Sequence, residues 1–182
     1  TVDDVMDEVR EQSERDYQLA SGLSQDVETD DNVFRQTTAR LPWLIIGMLG
    51  GIGNSMILGN FDATFAAHPE MALYIPLIGG TGGNVGTQSS ALIVQGLANS
   101  SLDSKNTLKQ VAKEAVVALI NATIISLLVY TYNFIRFGAM ATVTYSVSIS
   151  LFAVVMFASI FGTLVPMTLE RLKIDPAIAT GP

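Results

Sequence analysis

The stretch PLIGGTGGNVGTQSSALIVQGLA, Pro76 to Ala98, decides how this chain is read. It belongs to a charge-free run, residues 71–98, whose two ends look like sequence that faces lipid. Its middle, GGTGGNVGTQ (Gly79 to Gln88), holds five glycines, two threonines, an asparagine and a glutamine around a single large apolar residue, Val85. Gly79 and Gly83 are four apart, as are Gly82, Gly86 and Ser90, a spacing that lets another helix approach closely. Close packing accounts for the glycines but not for Asn84, Thr87 and Gln88, whose polar groups cost free energy in lipid unless they find partners. Glycine also weakens a helix, by about 1 kcal/mol per residue relative to alanine. The stretch therefore predicts local unwinding with exposed carbonyl oxygens, and a kink near Pro76. Non-helical backbone at membrane depth survives only inside protein or along a water-filled cavity. Two readings stand side by side: a pathway or binding site formed by Gly82, Gly83, Asn84, Gly86, Thr87 and Gln88, or a packing seam.

Working outward, three more apolar runs have transmembrane length: residues 41–61, 115–135 and 137–169. About 20 apolar residues suffice to cross a hydrocarbon core of roughly 30 Å as a helix. Pro42 suits a helix start and Trp43 a membrane interface. A polar stretch, DATFAAHPE, joins the first two runs, and a tight turn is expected near Asn133 to Arg136. Asp175-Pro176 reads as the start of a fifth helix, with Asp as N-cap and Pro at the first helical position. Residues 1–20 read as an amphipathic helix, with Val2, Val5, Met6 and Val9 at helical spacing among acidic residues, ended by Gly22. The expected fold is all-α: a polytopic membrane protein with four complete transmembrane helices and the start of a fifth, preceded by an amphipathic cytoplasmic helix. Residues 1–40 form an acidic linker and connection, and residues 41–182 a membrane domain cut short in its fifth helix.

Charge divides the chain in the same place. Residues 1–40 hold eleven of the seventeen acidic residues and four of the ten Lys/Arg. Residues 41–182 hold six of each. Arg35 and Arg40 precede the first run, Lys105, Lys109 and Lys113 follow the second, and Arg171 and Lys173 follow the fourth, whereas the other two connections contain only Arg136. That asymmetry places the N-terminus and the second and fourth connections in the cytoplasm of a multi-pass protein of the cell membrane. The expected partner is a lipid bilayer and not nucleic acid. With no cysteine in the sequence, disulfides and thiolate metal sites are excluded.

Asp62, Glu70, Glu114 and Glu170 fall at the ends of runs and none in a middle, so no carboxylate ring is available for a bare cation. Amides, hydroxyls and carbonyls remain. They suit a cation held through its waters, and Mg²⁺ usually keeps several waters. A filter of stacked carbonyls is the other arrangement open. Gly47, Gly51, Ser55 and Gly59 form a packing stripe in the first run, where Asn54 either joins helices or lines a water path. His68 reads as a solvated loop residue, Glu114 as an interfacial charge beside Lys113, and Asn121 as an interhelical hydrogen bond. Ser146, Ser148 and Ser150 can bond backbone carbonyls. The acidic face with Asp3, Asp4 and Asp7 is either solvated or a divalent-cation site.

PLIGGTGGNVGTQSSALIVQGLA resembles the second transmembrane helix of the MgtE family of magnesium channels and transporters. RLPWL at residues 40–44, RLKIDPAIATGP at 171–182 and TVDDVMDEVREQSERD at 1–16 are similar to the same family in the same order. The resemblance implies a homodimer with five transmembrane helices per subunit and an ion path at the dimer interface, lined by the second and fifth helices. It also implies cytoplasmic sensing of Mg²⁺ that closes the pore. Asn84 and its glycines would lie along the pore, and Asp175 would face the linker helix and help bind regulatory Mg²⁺. Asp4, Asp7 and Asp16 match acidic regulatory positions, although Arg15 stands where some members carry an acidic residue. The family's sensing domains and its pore aspartate on the fifth helix are not among these 182 residues.

The function this implies is a Mg²⁺-selective channel with no chemical step, and so no enzyme. A secondary transporter or exchanger of Mn²⁺, Co²⁺ or another small solute is the alternative, and would more often show paired broken helices in two repeats. A purely structural membrane anchor would have no use for Asn84 and Gln88 at membrane depth.

Overall fold

A computed structural model describes residues 2–24, 26–99, 107–138 and 141–180; Lys105, one of the charges behind the orientation, lies outside them. The described residues contain helices and no strands. Helix α1 spans Val2–Ala20, α2 Val33–Gly59, α3 Asp62–Ala67 and α4 Pro69–Ala72. Helix α5 spans Ile75–Ala98, α6 Thr107–Phe137 and α7 Thr142–Arg171, and a 3₁₀ helix follows over Pro176–Thr180.

Helix α1 ends as expected. Gly22 takes a φ of +81°, and the Leu23 amide donates back to Gln18 O at 3.0 Å. The Gln18 carboxamide then pins the following loop, donating to Val27 O at 2.9 Å and accepting from Val27 N at 3.0 Å. Ser24 reaches α2 through its amide and hydroxyl, both donating to Ala39 O. Trp43 packs against this turn: a Cβ added at Gly22 would clash with Trp43 Cδ1. Gly22→Ala should therefore lower stability by about 1 kcal/mol for the left-handed backbone alone, with the displaced indole adding to it. Trp43 fluorescence against temperature will show both effects, as an altered emission maximum and an earlier transition.

Helix α2 starts earlier than the apolar run that announces it. Asn32 caps it, its Oδ1 accepting from Arg35 N at 2.9 Å, so Pro42 lies inside the helix and not at its start. The Thr38 hydroxyl, on the turn where Pro42 withholds a donor, bonds to Phe34 O and Arg35 O. None of the residues in the apolar span of α2 is buried, and a Cβ at Gly47, Gly51 or Gly59 would meet nothing within 4 Å. Among the described residues, the packing stripe expected there has no close partner. The polar connection after α2 folds into α3 and α4, with half-buried His68 between them, 3.4 Å from Glu70 Oε1.

The core is built on α7. Helices α5 and α6 both pack along it and make little contact with each other. Leu151 and Val155 of α7 and Ala122 of α6 are fully buried, with Val85 of α5 and Ile125 of α6 against them. Three helices, α2, most of α6 and α7, are long and apolar enough to cross a membrane. Helix α5 has 24 residues but, with polar residues in its middle, is not among those three.

Three expectations are corrected. The glycine stretch does not unwind: α5 is continuous from Ile75 to Ala98. Backbone groups without water must bond within the segment, which outweighs the weak propensity of glycine. Pro76 makes no kink, because it sits in the first helical turn, where its missing N–H has no partner to lose. The turn expected at Asn133–Arg136 is helix, since α6 continues to Phe137 and the chain bends at Gly138, whose φ is +91°. Asn133 is instead fully buried and accepts a hydrogen bond from the Tyr74 hydroxyl. At the far end Asp175 Oδ1 accepts from Ala177 N at 2.9 Å, the cap that the sequence announces, here opening a 3₁₀ turn.

Candidate functional site

The residues expected to form one pathway divide between three environments around α5. Gly82 and Gly86 face α7. A Cβ on Gly82 would stand 2.6 Å from Val154 Cγ1, and a Cβ on Gly162 of α7 would stand 2.6 Å from Gly86 O. Ser90, on the same face, donates to Gly162 O at 2.9 Å. Both glycines serve close approach, Gly82 buried and Gly86 half-buried. Gly162, their counterpart, escaped the sequence reading because a single glycine in an apolar run carries no visible pattern.

The second environment is the opposite face. Gly80, Gly83, Asn84 and Thr87 are all exposed and recur at i, i+3, i+4 and i+7, so they form one stripe along the helix. No Cβ at Gly79, Gly80 or Gly83 would meet anything within 4 Å. Because the helix stays intact, its carbonyls are already engaged in the i−4 ladder, and a filter of stacked unwound carbonyls has no basis here. Each carbonyl still keeps a second lone pair, which a glycine face leaves open to a hydration shell. The stripe thus offers the Asn84 carboxamide, the Thr87 hydroxyl and bare backbone. It carries no charge of its own.

Gln88 belongs to the third environment, a groove of about 430 Å³ between α5 and α6 with Ser159 of α7 on its floor. Here lies the main feature that sequence reasoning missed. Glu114 Oε1 accepts from the Ser89 hydroxyl at 2.7 Å and from the Ser159 hydroxyl at 2.5 Å, so one carboxylate joins three helices. The two serine oxygens are 3.0 Å apart. Read as an interfacial charge, Glu114 was given no partner, because the apolar run was taken to begin after it. In the structure α6 starts at Thr107, which carries the carboxylate two turns into the helix and into contact with the middle of α7. The legible signal was the pair of serines inside otherwise apolar runs. Asn121 lines the same groove and is exposed.

Of the other polar residues, Asn54, Ser146 and Ser150 line a second cavity of about 400 Å³ between α2, α5 and α7. Ser148 bonds back to Thr144 O at 2.7 Å, as the sequence suggests. The acidic candidates do not converge. Asp4 and Asp7 lie exposed on α1, Asp16 accepts from Gln12 Nε2 at 2.7 Å, and Asp175 caps the 3₁₀ turn. Among the described residues, no group of three or more His, Cys, Asp or Glu is placed to hold a metal ion. Helix α1 does pack against the 3₁₀ helix that follows Asp175.

The family model for MgtE, divalent cation transporter, matches residues 75–182, from the first residue of α5 onward. Over the whole chain, 30% of residues are identical to the magnesium transporter MgtE of Bacillus subtilis and 32% to that of Thermus thermophilus. The magnesium transporter MgtE of Enterococcus faecalis is 28% identical over the same extent. The chain spans 40% of the length of each of these relatives.

Proposed function

The chain belongs to the MgtE family of divalent cation transporters, and from that premise we propose that it forms membrane-embedded pore wall for Mg²⁺. In this reading α2, α5, α6 and α7 all span the bilayer, and the chain works as a homodimer in the cell membrane with its N-terminus in the cytoplasm. The observation that carries the proposal is the exposed stripe of Gly80, Gly83, Asn84 and Thr87. Facing lipid, an amide and a hydroxyl without partners would be costly. Facing water and a second copy of the chain, they become the wall of an aqueous path. The carboxamide and the bare glycine backbone contact the waters of a hydrated ion, which suits a cation that dehydrates reluctantly.

Selection in this scheme comes from the fit of the hydrated ion, and flow is downhill. The membrane potential supplies about 2.3 kcal/mol per elementary charge per 100 mV, and so twice that for Mg²⁺. Cytoplasmic Mg²⁺ regulates the pore through the acidic residues Asp4, Asp7 and Asp16 of α1 and through Asp175, whose 3₁₀ turn α1 touches. Uptake of Mg²⁺ into liposomes bearing the protein tests the whole reading. Uptake should follow an imposed K⁺-diffusion potential in sign and size with no opposing ion gradient. Uptake that ignores the potential, or that requires a counter-gradient of protons or sodium, would replace the channel with an exchanger.

A further inference from the structure

We propose that the groove between α5 and α6 is a binding site for the headgroup of a zwitterionic, amine-bearing phospholipid, with Glu114 taking the ammonium and Lys113 the phosphate. The site is centred on Ser89 and Glu114 and is distinct from the Asn84 stripe, which runs beside it on α5, Gln88 following Asn84 by one turn. Its form comes from the packing: both helices lean on α7 but barely touch each other, so a cleft of about 430 Å³ stays open between them.

Its contents fit a headgroup better than a metal ion. One carboxylate and one ammonium line it together, so their formal charges cancel, and a divalent cation would meet Lys113 as well as Glu114. Carboxamides of Gln88, Gln95 and Gln110 supply neutral donors and acceptors between them. Glu114 Oε1 already takes two serine hydroxyls, and a carboxylate has about four acceptor sites, so capacity remains for an ammonium. The lining includes exposed apolar side chains that acyl chains could cover: Leu92 is 64% exposed and Val117 41%.

Depth agrees. Helix α6 has 31 residues. At 1.5 Å per residue that is roughly 46 Å, about 16 Å longer than a hydrocarbon core. If the excess is shared between its ends, about 8 Å projects at each end, and Glu114, about 10 Å from Thr107, lies at the boundary where headgroups sit. A Lys at that level reaches outward along its own stem.

The test is native mass spectrometry of the intact protein with phosphatidylethanolamine and phosphatidylglycerol of identical acyl chains. The protein should retain phosphatidylethanolamine at about tenfold lower lipid concentration, as expected for one charge-assisted hydrogen bond. Glu114→Gln should abolish that preference, and Lys113→Gln should weaken retention of both lipids. Should Glu114→Gln fail to fold, Leu92→Trp, a change at an exposed rim position, should block retention of both by filling the mouth. Asn84→Leu should leave the preference intact, which separates this proposal from the pore. Equal retention of the two lipids, or a preference that survives Glu114→Gln, overturns it. So does protection of Glu114 from carbodiimide by Mg²⁺ and not by phosphatidylethanolamine, which would make the groove a cation site.

Discussion

Gly162→Val should leave almost no folded protein, and Gly162→Ala should melt well below the parent. The Cβ of any larger residue would stand 2.6 Å from Gly86 O and 3.3 Å from Gly86 C, backbone atoms of α5 that cannot rotate aside. The two helices would have to separate. That would also lengthen the Ser90–Gly162 hydrogen bond and pull Ser89 from Ser159 and Glu114. Overpacking of this kind costs about 1–3 kcal/mol for a single methyl group, and the branched side chain adds more. Gly82→Ala, by comparison, meets only Val154 Cγ1, a side-chain atom that can shift, and should cost less. Gly83→Ala meets nothing and should stabilise α5 by up to about 1 kcal/mol through helix propensity. Thermal melting of the three variants in one detergent gives the order directly. If Gly162→Ala melts with the parent, α5 and α7 do not approach as closely as described.

The glycine ranking shows what the sequence could and could not disclose. That α5 and α7 are helices, and that the stretch around Asn84 is special, follows from residue types and spacing. Which glycine faces which neighbour does not, because Gly79, Gly82, Gly83 and Gly86 fit two four-residue series at once, and only the position of α7 separates packing from exposed positions. The expectation of unwinding came from local propensity alone. It fails because a segment without water must keep its backbone bonds, whatever its composition. The serine partners of Glu114 were missed for a related reason: hydropathy marks where charge stops, whereas the helix begins two turns earlier at Thr107. The boundaries of α2 and α6 moved in the same direction, each helix extending past its apolar run into polar residues. Long-range pairs such as Tyr74 with Asn133 leave no trace in local pattern at all.

Asn84→Leu should reduce Mg²⁺ flux through reconstituted protein by about ten- to a hundredfold while leaving its melting temperature unchanged. Asn84 is exposed on the face of α5 away from α7, so leucine has room and no native bond to break in the core. What it removes is an acceptor and a donor pair at membrane depth. A hydrogen bond to a charged partner is worth about 1.5–3 kcal/mol, and each 1.4 kcal/mol is a factor of ten. A hydrated ion passing an apolar side chain loses that contact from its outer shell and finds nothing to replace it. Asn84→Gln keeps the carboxamide but extends it by one methylene, so it should restore part of the flux. Measured in the same liposomes, Gly83→Ala adds a methyl group to the stripe without removing a polar group, and should lower flux only through the narrower path. The pattern therefore discriminates mechanism as well as site. Loss with leucine and partial recovery with glutamine mean that the amide contacts the ion's waters. Equal loss with leucine, glutamine and Gly83→Ala would mean that width alone matters. Unchanged flux in all three would return the stripe to helix packing, with the ion path elsewhere.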